Sequence, residues 1–230
     1  MRESRFRFHG AHVLKRTFDI VMAILGLLVL FPLFVAVALL IKVNSAGPVF
    51  FRQERIGKNF RPFHIYKFRT MVHNAQVKGG LLTSAGDPRI TRVGALLRQT
   101  KIDELPQLIN VLVGDMSFVG PRPEVRKYVV LFQKQYESIL SVRPGITDIA
   151  SVKYRDESVI LARADNPEQE YLLRILPDKL RLAEEYVRRS SLAFDLTLIF
   201  QTLMKLLPRR PAEDTASADN TSPSKATDGG

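Results

Sequence analysis

The chain has 230 residues, a formal net charge of +11, 46% hydrophobic residues and no cysteine. Its length suits one domain with an appended element, and the absence of cysteine excludes disulfide bonds and thiolate metal sites. The basic excess predicts an anionic partner. The possible partners are nucleic acids, acidic membrane surfaces and phosphorylated substrates.

An uncharged apolar segment, Ile20–Ile41, comes first along the chain. As one helix it would be roughly 33 Å long, which is enough to cross a bilayer. Pro32 lies near its middle and removes a backbone hydrogen bond, and each half, about 18 Å or about 13 Å long, is too short to span alone. Two interpretations are therefore open: a kinked transmembrane helix, or a helix–break–helix that enters and leaves the same membrane face.

Basic residues flank this segment on both sides. They are Arg2, Arg5, Arg7, Lys15 and Arg16 before it, and Lys42, Arg52, Arg55, Lys58 and Arg61 after it. Because basic flanks favour the cytoplasmic side of a membrane, this pattern favours the re-entrant anchor. Residues 1–45 are therefore predicted to form a basic N-terminus and a membrane anchor.

A β-hairpin is predicted next, within Gly47–Met71. Bulky β-favouring residues lie on both sides of a turn at Gly57-Lys58-Asn59. Lys67 and Arg69 are two residues apart, so in a strand they share one face. Two adjacent cations suit a diphosphate, although an ordinary solvated strand face has the same pattern.

Two adjacent carboxylates, Asp103 and Glu104, precede a predicted helix that begins near Pro106 and runs to Gly114. Acids at a helix N-terminus commonly serve only to stabilise the helix. Three cations lie close to this pair in the sequence: Arg98, Lys101 and Arg122. A helix terminus among arginines suits phosphate, and a carboxylate there can be a metal ligand, a base or a nucleophile.

Two helical segments are predicted near the C-terminus. Residues 168–189 have helical periodicity interrupted by Pro177. Leu192–Leu207 is strongly apolar but, at 16 residues, short for spanning a bilayer. An interfacial helix and a core helix are both open for this second segment.

The predicted boundaries place one cytoplasmic domain at residues 46–211 and a disordered tail at residues 212–230. The tail is rich in Ser, Thr, Ala and Asp and has almost no apolar bulk. Such a composition cannot offset the entropy lost on ordering.

Four motifs occur in order over residues 15–150: the Pro-broken apolar run after KRTFD, YKFRTM, DPRITRVGALLRQTKIDELPQLINVLVGDMSFVGPRPE, and VRPGIT. Together they closely resemble the bacterial sugar transferases that are monotopic polyprenyl-phosphate phosphoglycosyl transferases, in the short form without a multi-pass N-terminal region. The resemblance implies a mixed α/β, mainly helical fold. It comprises a re-entrant membrane helix, a small β-hairpin and a cytoplasmic catalytic domain with interfacial amphipathic helices.

The same resemblance implies the reaction. A sugar-1-phosphate would pass from a UDP-sugar to undecaprenyl phosphate, with UMP as the second product, in the first membrane step of a surface glycan. The implied cofactor is Mg²⁺, and the implied location is the bacterial inner membrane with the catalytic domain on its cytoplasmic face. No nucleic-acid partner is implied, and a homodimer is left open.

Residue roles are also carried over from the resemblance. Asp103 would attack the β-phosphorus to form an aspartyl phosphosugar, and Glu104 would hold Mg²⁺ or handle protons. Both carboxylates are candidate metal ligands, and Lys67 matches the family's essential lysine in its KFR motif. The candidate substrate-binding residues are Arg69, Arg98, Arg122 and Arg143.

One loop departs from the family pattern. After RPGIT many relatives continue with glycine and a short AQV stretch, whereas this chain continues with DIASVKYRDES. Asp148 adds negative charge close in sequence to Arg143, which puts the acceptor or sugar preference in doubt.

Two other function classes are open. A membrane-tethered nucleic-acid-binding protein would explain the basic charge, but no recognisable nucleic-acid motif occurs. A non-catalytic scaffold would have no need for the acid pair and its arginines.

Overall fold

The fold begins with one long helix, α1, from Arg2 to Asn44. The computed structural model describes residues 2–75, 80 and 82–206, so the predicted tail at residues 212–230 lies outside the described residues. Pro32 lies inside α1. The expected helix–break–helix is therefore observed as one helix with an internal proline, because a proline removes one backbone hydrogen bond and the ladder continues on both sides.

One face of α1 packs along the rest of the protein. Ala23 joins a buried cluster with the hairpin, and Val37 and Ile41 join another with Phe68 and Leu97. Residues on both sides of the internal proline therefore contribute to the core.

The remaining surface of α1 is apolar and exposed. Only 11% of its most apolar window is buried against the protein, and the helix is long and apolar enough to cross a membrane. Its most exposed large side chains in the apolar run include Leu28, Val29, Phe31 and Leu39. An exposed apolar surface of this extent marks a membrane or protein contact.

The predicted hairpin is confirmed. Strands β1 (Phe50–Ile56) and β2 (Pro62–Phe68) pair antiparallel around a tight turn at Lys58–Phe60. Asn59 has a positive φ of 55°, a conformation that asparagine tolerates better than most residues. Lys67 is the second-to-last residue of β2 and lies near the end of the strand.

Mostly short helices follow the hairpin and make the fold mainly helical, as predicted. They are α2 (Arg92–Gln99), α3 (Gln107–Val113), α4 (Arg126–Leu131), α5 (Gln133–Ile139), α6 (Ile149–Lys153), α7 (Glu157–Ala162), α8 (Pro167–Glu170), α9 (Leu176–Arg189) and α10 (Leu192–Leu206). Helix α3 begins and ends where the sequence predicts, with Gly114 left-handed at its C-terminus (φ 100°).

A second small sheet was not predicted from the sequence. Strands β3 (Ser117–Val119) and β4 (Gly145–Thr147) pair in parallel and join the VGPRPE and VRPGIT motifs. Each strand has only three residues, which is too short for a periodic pattern. A Cβ atom on Gly145 would lie 2.1 Å from the backbone nitrogen of Gly120, so the two backbones meet where only glycine fits.

The C-terminal helices form where predicted, but Pro177 does not interrupt them. It lies in the first turn of α9, where a missing N–H costs little, and a π-helical turn at Tyr171–Ile175 precedes it. Helix α10 has features of both a core helix and an interfacial helix. Asp195 and Leu198 are buried, while an opposite apolar set is exposed: Leu196, Phe200, Leu203 and Met204.

We expect Gly145→Ala to destabilise the protein by about 2 kcal/mol or more, because the added methyl group would overlap the Gly120 backbone. Thermal unfolding of the purified protein in detergent measures the change. Gly80→Ala is the matched control, since a Cβ atom there would have no described atom within 4 Å. Equal unfolding temperatures for Gly145→Ala and wild type would show that the two motifs do not need this close contact.

Candidate active site

An open cleft of about 1800 Å³ lies beside the end of the hairpin and the start of α3. Its walls also include the loop before α2, the Pro-Arg-Pro loop and the segment from α6 to α7. Six of the seven predicted site residues line it: Lys67, Arg69, Arg98, Asp103, Glu104 and Arg122.

The acid pair lies in a tight 3₁₀ turn, Ile102–Glu104, just before α3. Lys101 immediately before it has a left-handed backbone with φ 59°, a conformation that costs free energy in a non-glycine residue. The N-cap of α3 is Pro106, and no side chain caps it. Helix capping therefore does not explain why the two acids are present.

Glu104 is the anchor of the site. Its Oε1 accepts hydrogen bonds from Lys67 Nζ at 2.7 Å and from Arg122 Nη2 at 2.6 Å. Burial alone would raise the pKa of Glu104, but the charges of Arg122 and Lys67 outweigh it and hold the pKa well below its ordinary value. The carboxylate is therefore an anion that fixes two cations.

The two cations respond differently to this shared partner. Burial lowers the pKa of Lys67, and the nearby charge of Glu104 offsets part of that effect. The charge of Glu104 instead raises the pKa of Arg122. Arginine has five N–H donors and lysine three, so each can hold Glu104 and still donate to a second anion.

Asp103 is paired differently from its neighbour. It is 7% exposed, and its Oδ1 is buried without a hydrogen-bond partner in the part of the chain that the structure describes. Burial raises the pKa of Asp103, although the charge of Lys67 works in the opposite direction. The structure thus separates two acids that sequence alone treats alike: Glu104 is held by cations, and Asp103 has an oxygen without a partner.

Arg98 and Arg69 support the site from the side of α2 and the hairpin. Arg98 Nε donates to Thr70 Oγ1 at 2.8 Å, and burial lowers the pKa of its guanidinium while Asp103 raises it. Arg69 Nη2 donates to the Ser45 carbonyl oxygen at 2.7 Å and to Ser45 Oγ at 2.8 Å. Arg69 lines the cleft, but these bonds tie β2 to the end of α1.

The structure corrects the predicted position of Arg143. Its Nε donates to the Gly114 carbonyl oxygen at 2.8 Å, so it binds the C-terminal end of α3 and does not line the cleft. The acid pair lies at the other end of that helix. The VRPGIT motif that contains Arg143 gives no information about which way this side chain points.

Asp148 also has a different role from the one its sequence position indicated. Its Oδ2 accepts a hydrogen bond from the Arg122 backbone N–H at 3.1 Å, and its Oδ1 caps α6 by accepting from the Ser151 N–H. It therefore positions the backbone of Arg122 and is not a free charge in the loop.

Comparison with known proteins identifies the family. Residues 10–209 match the family model described as bacterial sugar transferase. The chain belongs to this family.

The relatives that this chain matches differ in length. The chain is 41% identical over 199 residues to a UDP-N-acetylgalactosamine-undecaprenyl-phosphate N-acetylgalactosaminephosphotransferase of Aeromonas hydrophila, which covers 84% of this chain and 44% of that protein. It is 38% identical over 201 residues to an Escherichia coli UDP-glucose:undecaprenyl-phosphate glucose-1-phosphate transferase, covering 84% and 40% of the two chains. The chain therefore spans less than half of each of these two proteins.

A shorter relative matches almost end to end. The exopolysaccharide production protein PSS of Rhizobium leguminosarum bv. phaseoli is 41% identical over 206 residues, which cover 86% of this chain and 96% of that protein.

Sequence reasoning missed Glu124, one of the acids that line the cleft. Glu124 is buried, its Oε1 accepts a hydrogen bond from the Tyr171 hydroxyl at 2.6 Å, and its Oε2 pairs with Arg55 at 3.3 Å. Its place at the end of the GPRPE motif was a usable signal. Tyr171 carried no such signal, because it reaches the cleft from a helical segment 47 residues further along.

The acid pair fits a magnesium ion. Mg²⁺ is usually held by one or two carboxylates, with water and substrate phosphates completing its shell. Within residues 2–75, 80 and 82–206 no group of three or more acids or histidines is arranged for a metal. Asp103 and Glu104 would supply the two carboxylates, and the buried Asp103 Oδ1 has no hydrogen-bond partner among the described residues.

The contrast between the two acids predicts opposite effects on stability. We expect Glu104→Gln to destabilise the protein by about 3 kcal/mol, because two partly buried cations lose their shared anion. We expect Asp103→Asn to leave the unfolding temperature equal or higher, because it removes a buried charge. Thermal unfolding in detergent measures both.

The pH dependence provides the control for this pair of variants. Because the folded pKa of Asp103 is raised, the native state favours its protonated form. Any stability advantage of Asp103→Asn over wild type should therefore shrink as the pH falls through that raised pKa. A loss of stability in Asp103→Asn that matches Glu104→Gln would contradict the separation of roles.

Proposed function

We propose that this protein transfers a sugar-1-phosphate from a UDP-sugar to undecaprenyl phosphate and releases UMP. The names of two relatives describe such reactions with undecaprenyl phosphate, and that of a third describes exopolysaccharide production. The observation that carries the proposal is the buried, unpartnered Oδ1 of Asp103 beside a carboxylate that already holds two cations. A scaffold would have no need to bury a charge in this way.

In the first half-reaction, a carboxylate oxygen of Asp103 attacks the β-phosphorus of the UDP-sugar. The bond from that phosphorus to the bridging oxygen breaks, UMP leaves, and an aspartyl phosphosugar is formed. Lys67 and Arg122 are held close to Asp103 through Glu104, so their remaining N–H groups can stabilise the charge on the phosphoryl oxygens.

In the second half-reaction, a phosphate oxygen of undecaprenyl phosphate attacks the same phosphorus. The acyl phosphate bond to Asp103 breaks, the free carboxylate is regenerated, and the sugar remains on a lipid diphosphate. A covalent intermediate lets one site serve a soluble donor and a lipid acceptor in turn.

We propose that Asp103 and Glu104 also hold Mg²⁺ during these steps. When bound there, the ion would neutralise charge on the diphosphate of the donor. Glu104 keeps the two protein cations in position whether or not a donor is present, since its bonds to them are internal to the protein.

The proposed location is the cytoplasmic face of the bacterial inner membrane, with both ends of the apolar run of α1 on that face and Pro32 as the position at which the helix would bend in the bilayer. Both halves of α1 pack on the same domain, and basic residues flank both ends of its apolar run. The exposed apolar surface of α10 supplies a second contact at the membrane interface. This placement brings the cleft to the level of the lipid headgroups.

Asp103→Asn should abolish turnover while the protein stays folded and bound to membranes. Incubation with a UDP-sugar labelled in the sugar, without acceptor, should leave label on wild type and none on the variant. Asp165→Asn is the matched control, because Asp165 is exposed and does not line the cleft. Turnover of Asp103→Asn within tenfold of wild type would remove Asp103 as the nucleophile.

Chelation should stop the transfer. We expect EDTA to reduce UMP release to background and added Mg²⁺ to restore it, because the diphosphate and two carboxylates otherwise repel one another. Unfolding temperature measured in parallel shows whether EDTA acts on the fold. An undiminished rate in EDTA would rule out the metal requirement.

Membrane topology is tested by thiol labelling, for which the cysteine-free chain is well suited. We expect cysteines introduced at Ser4 and, separately, at the exposed Ser138 to be protected from a membrane-impermeant reagent in intact bacterial cells. Both should react after the membrane is disrupted, which is the control. Labelling of position 4 alone in intact cells would mean that α1 crosses the bilayer.

A further inference from the structure

A second cavity lies at the C-terminal end of α3, the end opposite the acid pair. Its volume is about 40 Å³, and none of its lining residues lines the catalytic cleft. Four cations are among them: Lys15, Arg16, Lys58 and Arg143.

Two of these cations bind backbone carbonyl groups at the C-terminal end of α3. Arg16 donates to the carbonyl oxygens of Val111 at 2.6 Å and Leu112 at 2.9 Å, and Arg143 donates to that of Gly114 at 2.8 Å. A helix C-terminus attracts cations, which explains why both guanidinium groups lie there. Carbonyl groups are neutral overall, however, so these bonds leave both positive charges uncompensated.

The acids nearby balance only part of this charge. Lys15 is paired with Asp195, and Asp19 is buried and accepts hydrogen bonds from Ser117 Oγ and the Phe118 N–H, both at 3.1 Å. Lys58 is exposed at the hairpin turn and makes no ion pair among the described side chains. Three cations therefore face one buried carboxylate, which makes the cavity attractive to an anion.

The position of the cavity indicates which anion. Val13 and Leu14, directly before its first two cations, are 60% and 57% exposed, and the Lys15–Asp195 pair places the start of α10 beside them. The exposed apolar surfaces of α1 and α10 thus begin at the cavity. An anion at the boundary between an apolar membrane contact and a basic surface is a lipid headgroup phosphate.

The size of the cavity supports the same class of ligand. A volume of about 40 Å³ is enough for a few small polar groups and excludes a nucleotide, so only the phosphate of a larger ligand could enter the cavity.

We propose that this cavity binds the phosphate of an anionic phospholipid headgroup and thereby fixes the depth of the N-terminal half of α1. The inference rests on the proposed membrane placement but not on the proposed chemistry. Its ligand is a phosphate diester carried by the bilayer, bound at the end of α3 that is remote from the acid pair.

Binding is tested with the full-length protein in an uncharged detergent. Phosphatidylglycerol should raise the unfolding temperature in a concentration-dependent way, as expected for a ligand of the native state, and phosphatidylcholine should raise it far less. Lys58→Gln should weaken the apparent affinity for phosphatidylglycerol about three- to fivefold, the effect of losing one partly exposed ion pair. Lys134→Gln, which removes an exposed lysine outside both cavities, should leave it unchanged.

Three further measurements make the result decisive. Lys58→Arg keeps the charge and should bind phosphatidylglycerol like wild type. UMP release in detergent should be equal in Lys58→Gln and wild type, so a failure of the proposed reaction is seen separately. Inorganic phosphate should give a small shift that Lys58→Gln preserves, because that shift belongs to the catalytic cleft.

Two outcomes would overturn the proposal. One is an equal affinity for phosphatidylglycerol in Lys58→Gln and wild type. The other is a shift produced by inorganic phosphate alone and lost in Lys58→Gln, which would assign the cavity to free phosphate.

Discussion

The shared hydrogen bonds of Glu104 are the interaction on which the rest of the site depends. One carboxylate oxygen joins Lys67 at the end of the hairpin to Arg122 in the Pro-Arg-Pro loop, residues 55 positions apart in sequence. Because this anion already holds both cations, Asp103 beside it is not needed to neutralise them. The same arrangement that holds Lys67 and Arg122 therefore leaves an oxygen of Asp103 without a hydrogen-bond partner among the described residues, at the cost of burying its charge.

Helix α3 connects this site to the remainder of the molecule. Its N-terminal end follows the acid pair, and its C-terminal end is held by Arg16 of α1 and by Arg143, two residues before β4. Midway along it, the fully buried Asn110 accepts a hydrogen bond from the Tyr66 N–H at 3.0 Å and donates to the His64 carbonyl oxygen at 2.8 Å. A seven-residue helix is unstable alone, so its position is set by these tertiary contacts.

Features with a local chemical cause could be predicted from the sequence, and those set by distant contacts could not. The hairpin and α3 follow from turn residues and apolar patterning, and the acid pair with Lys67 and Arg122 follows from motifs. The orientation of Arg143 depends on a contact with Gly114, 29 residues away, which no local pattern encodes. Pro32 and Pro177 were both overestimated as breaks, because each removes only one hydrogen bond and the surrounding packing maintains the helix.

The bond between Arg69 and Ser45 has a mechanical consequence. Arg69 follows β2 and holds the end of α1, while Lys67, two residues earlier on the same extended segment, holds Glu104. Two extended residues span about 7 Å, and a strand is stiff along its axis. The segment therefore sets a nearly fixed distance between the end of the apolar helix and the acid pair. A change in the tilt of that helix would reach the acid pair directly through these two bonds.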